Sequence, residues 1–189
     1  MSPLIDKLIT VSRNAGDAIL NIYNSKDEDF GVHYKEDNSP LTKADKASND
    51  IICNELEKIT PHIPILSEEG RSIDYLERKG WGKFWLIDPL DGTKEFIKKN
   101  GEFTVNIALI ENGFPILGIV YAPVLDITWG GSQELGSFII KNNEKKQINV
   151  TVPRTDAIIK VVSSRSHSNN PKLEDFLKKI TEYELVKMG

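Results

Sequence analysis

With 39% hydrophobic and 28% charged side chains over 189 residues, the chain has enough apolar material for one sizeable core, or for one domain and part of another, and is not a disordered polymer. A formal net charge of −4 provides no overall basic field, which excludes duplex nucleic acid as a partner but leaves a small charged substrate open. The single cysteine, Cys53, excludes an internal disulfide, and the three histidines, His33, His62 and His167, form no zinc-spaced cluster.

At the N-terminus, Ser2 is placed as a helix cap and Pro3 as the first helical residue, and Leu4, Leu8, Val11, Ala15, Ala18, Ile19 and Ile22 then recur at helical spacing to about Tyr23. This is an amphipathic helix rather than a signal peptide, and no window approaches the roughly 20 apolar residues of a membrane span, so the cytoplasm is the expected compartment. The polar stretch after it reads as a loop or an edge hairpin, with a short strand at "VHYK". From Thr42 a second amphipathic helix places Ala44, Ala47, Ile51, Ile52 and Leu56 near one face and ends before Pro61. Two strands follow, "IPIL" and "FWLI". "FTVNIALIENGFPILGIVYAP" then reads as a hairpin around Asn112-Gly113. Further strands are expected at "ITWGG", "GSFII" and "INVTV", with "KNNEKK" as a solvated turn. A strand at "IKVVSSRS" and a helix from about Asn170 to Thr181 close the chain. Helices first, then a mostly antiparallel sheet, then the start of a β-α-β unit predict a layered α+β or α/β architecture.

Acids stand at the ends of the apolar runs: Asp45 after "SPLTKA", Glu68 and Glu69 after "IPIL", Asp88 and Asp91 after "FWLI". If those strands lie side by side, the carboxylates converge. Two unit charges 4 Å apart repel by about 1 kcal/mol in water and about 4 kcal/mol at an effective dielectric of 20, so such a cluster calls for a cation. Oxygen-only ligands suit Mg²⁺. Pro89 favours an extended Asp88 and is expected to leave it at the strand end, with Leu90 and Asp91 turning away. Gly92 and Thr93 lead into a helical start whose free amides can hold an anion. Taken alone, Asp-Pro-Leu-Asp-Gly is an ordinary turn. Paired with Glu-Glu twenty residues upstream and with Asp45, it reads as a catalytic cluster.

"SPLTKAD", "PILSEEG", "WLIDPLDGTKEFI" and "NGEFTVNIALI" closely resemble the bacterial 3'(2'),5'-bisphosphate nucleotidases of the CysQ type, a branch of the Mg²⁺-dependent, lithium-sensitive inositol monophosphatase superfamily. The resemblance continues through "PILGIVYAPV" and "SSRSH". It implies a layered sandwich of the inositol monophosphatase/fructose-1,6-bisphosphatase type, with an N-terminal α+β metal- and phosphate-binding domain over 1–155 and the start of an α/β domain over 156–189. The implied reaction is hydrolysis of 3'-phosphoadenosine 5'-phosphate to AMP and phosphate, as part of sulfur assimilation. The alternatives are an inositol monophosphatase, or a remnant that binds metal and nucleotide without turnover.

By the same resemblance, Glu68, Asp88 and the Leu90 carbonyl are expected to bind one Mg²⁺, and Asp88 and Asp91 a second. Two or three ions are implied in all, with Glu69 either serving the third or standing behind the ligands. Thr93 hydrogen-bonded to Asp45 is the expected catalytic dyad that orients and deprotonates the attacking water. The amides of Gly92 and Thr93 are expected to cradle phosphate, and Glu68, Leu90 and Asp91 to border the substrate. Arg165 or His167 is expected at the base or the 5'-phosphate; a solvated loop is the other reading of His167. Trp81, Trp85 and Trp129 read as packing residues and Cys53 as core.

Members of the family carry a Trp-Asp-x-Ala-Ala motif that completes the second metal site, and this sequence has no Trp-Asp pair. The expectation from that comparison is a truncated second domain, with residues from about 157 onward less stable and inclined to dimerise. Family resemblance also allows a peripheral position on the cytoplasmic face of the inner membrane.

Overall fold

The computed structural model describes residues 3–25, 30–35, 40–151, 158–165 and 171–188. The chain divides into two compact units, Met1–Ile148 and Asn149–Gly189. No helix among the described residues is long and apolar enough to cross a membrane.

Helix α1 spans Pro3–Tyr23 and buries Ile5, Leu8, Val11, Ser12, Ala15, Gly16 and Ile19, one stripe at helical spacing. The expected cap Ser2 lies outside the described residues. Of the apolar residues assigned to this face, Leu4, Ala18 and Ile22 are only half-buried. Gly16 replaces them at the closest approach, because a Cβ there would lie 2.5 Å from Tyr121 Cε1. Strands β1 (His33–Tyr34) and β2 (Pro40–Leu41) form a short antiparallel pair leading into helix α2, Lys43–Ile59. Thr42 is extended and its side chain accepts from the Ala44 amide, so it caps α2 rather than forming its first residue as the sequence pattern suggested. It ends as the Thr60 amide donates to Leu56 O at 2.8 Å, just before Pro61.

Seven strands form one sheet in sequence order: β3 (Ile65–Ser67), β4 (Lys83–Asp91), β5 (Thr104–Glu111), β6 (Phe114–Ala122), β7 (Ile127–Ser132), β8 (Gly136–Lys141) and β9 (Glu144–Ile148). Only the β3–β4 pair is parallel. A single helical turn, α3 (Tyr75–Arg78), which the sequence pattern did not predict, lies in the β3–β4 crossover and is capped by Asp74. Asn112 and Gly113 take φ values of 50° and 82°, the mirror-image turn that an Asn-Gly pair favours, and close the β5–β6 hairpin.

The next tight hairpin differs from expectation. Asn142 and Asn143 alone form its turn, with φ of 53° and 59°, so β9 begins at Glu144 and ends where "INVTV" was expected to begin. Two consecutive asparagines tolerate the left-handed conformation, and the strand therefore pairs directly after them.

Trp85, Ile87, Val105, Ile107, Ile119 and Tyr121 alternate onto the face of the sheet that α1 and α2 cover, and all are at most 4% exposed. Burying an aliphatic or aromatic side chain of this kind stabilises by about 1.5–3 kcal/mol, which makes this face the main core. Trp85 also donates its indole N–H to Thr60 Oγ1 at 2.9 Å. The opposite face of this unit leaves Leu86 and Val120 at 44% and 40% exposure.

The second unit is a β-α-β crossover: β10 (Ile159–Ser164), α5 (Pro171–Leu177) and β11 (Tyr183–Met188), with β10 and β11 parallel and Ile159 opposite Tyr183. Helix α5 is shorter than predicted. The Lys179 and Ile180 amides donate three residues back, to Phe176 and Leu177, and this tightened turn releases the chain towards β11.

Candidate active site

Helix α2 presents Asp45, Ser48 and Asn49 to the ends of β3 and β4 and to the segment that follows β4. Asp45 is 1% exposed. Its Oδ2 accepts from the Thr42 amide at 2.8 Å and the Thr42 hydroxyl at 2.5 Å, completing a capping box. Its Oδ1 accepts from the Thr93 hydroxyl at 3.0 Å. Ser48 donates to Pro89 O at 2.7 Å, and Asn49 Oδ1 accepts from the Ser67 hydroxyl at 2.7 Å. One helix face thus fixes the ends of β3 and β4 and the start of the next helix.

Pro89 does not end β4. The strand continues to Asp91 through an irregularity in its pairing with β5: Asp88 is opposite Asn106 and Asp91 opposite Thr104, with Pro89 and Leu90 bulged between them. Proline fits there because the bulge asks for no ladder N–H, and the bulge re-aims the carboxylates that flank it. The Leu90 carbonyl lies 3.3 Å from Thr93 Oγ1 and is a second acceptor for that hydroxyl. Gly92 follows with φ +96° and caps the five-residue helix α4, Thr93–Ile97. A Cβ on Gly92 would stand 2.8 Å from Glu102 O. Gly92→Ala is therefore expected to lower stability by about 1–3 kcal/mol in thermal melts, and an unchanged midpoint would show that the backbone yields there.

Glu68 is locked to the same place by its backbone, which donates to Ile87 O at 3.0 Å, one residue before Asp88. Asp88 Oδ1 is buried without a hydrogen-bond partner. Burial, and then the charges of Glu68 and Asp91, push the Asp88 carboxyl up to about 7. Asp91 Oδ2 accepts from Asn106 Nδ2 at 3.3 Å, and the Thr104 hydroxyl fixes that amide by donating to its Oδ1 at 3.1 Å. Lys35 Nζ stands 2.9 Å from Glu68 Oε1 and 2.7 Å from Glu69 Oε1. Burial alone would lower the Lys35 pKa, but its bonds to Glu69 and Glu68 outweigh that and raise it.

Asp45, Glu68, Asp88, Leu90, Asp91, Gly92 and Thr93 therefore gather around one end of the β3–β4–β5 segment. Arg165 follows β10 in the second unit, and His167 lies outside the described residues. Sequence reasoning missed Asn106, Thr104, Ser48, Asn49, Ser67 and Lys35. An asparagine inside the apolar run "FTVNIALI" was the one usable signal, since an amide there needs a partner.

The residues suit a hard divalent cation, because the donors are oxygens and the unpartnered Asp88 Oδ1 is a carboxylate oxygen in need of positive charge. Among the described residues no three His, Cys, Asp or Glu side chains already form a metal cage. A groove of about 800 Å³ runs from Glu68 and Asp88 past Asn106, Ala108 and Val120 to Trp129 on the uncovered face of the sheet. Trp129 lines this groove rather than the core. Cys53 packs half-buried against the core, and burial, with the charges of Glu57 and Asp50, pushes its thiol up to about 11, which makes it a poor nucleophile.

The inositol monophosphatase family model matches residues 1–185. The chain belongs to the inositol monophosphatase family. It is 46% identical over 186 residues to the 3'(2'),5'-bisphosphate nucleotidase CysQ of Buchnera aphidicola, covering 98% of this chain and 68% of that protein. To the protein of the same name from Escherichia coli K12 it is 43% identical, with 98% and 73% covered. The crystal structure of CysQ from Bacteroides thetaiotaomicron superposes with a TM-score of 0.78 at 36% identity, over 97% of this chain and 71% of that one. The mixed α/β fold is thus that of the inositol monophosphatase family, spanning part of the length of the solved chains.

Proposed function

We propose that this chain is a divalent-metal-dependent 3'(2'),5'-bisphosphate nucleotidase that hydrolyses the 3'-phosphate of 3'-phosphoadenosine 5'-phosphate to AMP and phosphate. The observation that carries the chemistry is the buried Asp45–Thr93 hydrogen bond, 3.0 Å long, beside the unpartnered oxygen of Asp88. The substrate follows from the identity to proteins named as such nucleotidases.

Glu68, Asp88, Asp91 and the Leu90 carbonyl would hold Mg²⁺, which when bound supplies positive charge to the phosphate and makes a nearby water more acidic. A threonine hydroxyl is a weak base. With Asp45 accepting its proton, Thr93 can orient a water and take up the proton that water loses as its oxygen attacks phosphorus. Asp45 can do this because Thr42 already fixes its other oxygen, so the carboxylate does not rotate away. The amides of Gly92 and Thr93 are assigned to the phosphate oxygens, with the positive φ of Gly92 turning the chain into that position. Attack in line with the departing 3' oxygen breaks its bond to phosphorus, and that oxygen takes a proton from solvent, giving AMP and inorganic phosphate.

The test is phosphate release from 3'-phosphoadenosine 5'-phosphate, inositol 1-phosphate and fructose 1,6-bisphosphate, with Mg²⁺ and with chelator. The expected result is metal-dependent release with the highest kcat/KM for the adenosine bisphosphate. Preference for inositol 1-phosphate would overturn the substrate assignment.

A further inference from the structure

Lys35 lies outside the residues that motif reading assigned, yet it makes the tightest ion pairs of the acid cluster. Its ammonium bridges Glu69 at 2.7 Å and Glu68 at 2.9 Å. The two contacts differ in surroundings: the Glu69 side chain is 7% exposed and the Glu68 side chain 49%. At the Glu69 end the pair is shielded, and breaking it would leave a carboxylate in a poorly hydrated site. At the Glu68 end water competes, and the pair is correspondingly weak.

Glu68 is also the residue whose backbone is pinned beside Asp88 and whose carboxylate lies between Lys35 and the Asp88 carboxyl. Its amide donates to Ile87 O at 3.0 Å, but its Oε1 is engaged by Lys35. A glutamate side chain turns about three single bonds without moving the backbone, so the carboxylate can exchange an ammonium partner for a cation near Asp88.

We propose that Lys35 is a tethered counter-ion of the acid cluster, one that neutralises Glu68 and Glu69 in the metal-free protein and gives up Glu68, but not Glu69, to an incoming divalent cation. The proposal rests on the metal-binding reading above. It makes Lys35 a positioning residue that sets how much Mg²⁺ the site requires. Lys35 lies just after β1, and β1 is paired to β2, which leads into Thr42 and α2. The counter-ion is therefore delivered from the same segment that places Asp45.

The experiment is calorimetric Mg²⁺ titration and thermal melting of the full chain as wild type, Lys35→Met, Lys35→Gln, Lys35→Arg and Lys46→Met. Lys46 carries the same charge on the exposed side of α2. Removing one charge a few ångströms from the cation should tighten Mg²⁺ binding about five- to tenfold in Lys35→Met and Lys35→Gln. The same variants should melt lower than wild type in chelator and gain more from added Mg²⁺. Lys35→Arg should stay near wild type, and Lys46→Met should change neither quantity. Unchanged or weaker Mg²⁺ binding in both neutral variants, or an equal effect in Lys46→Met, overturns the proposal while the metal reading stands. Absence of Mg²⁺ binding in the wild type overturns both.

Discussion

Asp88→Asn is expected to remove metal-dependent phosphate release by more than about a hundredfold, beyond the 10- to 100-fold typical of losing an outer partner of a metal ligand, while leaving the chain folded. The second half of that expectation comes from the electrostatics of the metal-free site. Burial first, and the charges of Glu68 and Asp91 next, raise the Asp88 carboxyl from 3.8 to about 7. A carboxyl raised on folding stabilises the native state fully below its unfolded value, and that contribution is lost as pH climbs through the folded value. The metal-free wild type should therefore lose stability between about pH 4 and pH 7, by about 1–2 kcal/mol after discounting for solvent screening. Asparagine does not titrate, so the Asp88→Asn melting curve in chelator should be flatter across that window and lie above wild type at pH 8. Added Mg²⁺ should reverse the order, because it favours the ionised Asp88 that the variant lacks. Parallel pH profiles for the two proteins in chelator would remove Asp88 as the titrating group, and retained activity would remove it as a ligand.

The second large effect separates two residues that share one hydrogen bond. Thr93→Ala should lower kcat by about 10²–10⁴, the range for losing a positioned acid–base group, with Mg²⁺ affinity and melting temperature nearly retained. Asp45→Asn should lower kcat by a similar factor and also cost about 1–3 kcal/mol of stability. Its carboxylate accepts three hydrogen bonds from Thr42 and Thr93 at 1% exposure, and an amide NH₂ turned to either partner cannot accept. The double variant should lose little more in kcat than Thr93→Ala alone, because the pair acts as a unit. Multiplicative losses in the double variant, or a Thr93→Ala defect confined to Mg²⁺ binding, would refute the dyad.

Neither residue's setting could be weighed from sequence alone, and the reason is physical. What the sequence determined by itself is encoded within a few positions. The helical spacing of Leu8, Val11, Ala15 and Ile19 and the Asn112-Gly113 turn each express a local backbone preference, and each is present in the structure. The motif "DPLDGT" likewise marked the candidate site, because acids at the ends of apolar runs are costly unless they serve a cation. What only the tertiary structure decided depends on partners far apart in the chain. The parallel pairing of β3 with β4 sets Glu68 beside Ile87, and the bulge at Pro89 and Leu90 keeps Asp88 and Asp91 in one strand. Asn106 reaches Asp91 only because β5 returns antiparallel to β4, and Lys35 reaches Glu68 and Glu69 across a span of 33 and 34 positions. Local preferences fix φ and ψ one residue at a time, whereas the charge balance of this site is set by which segments the assembled sheet and helix α2 bring to the same few ångströms.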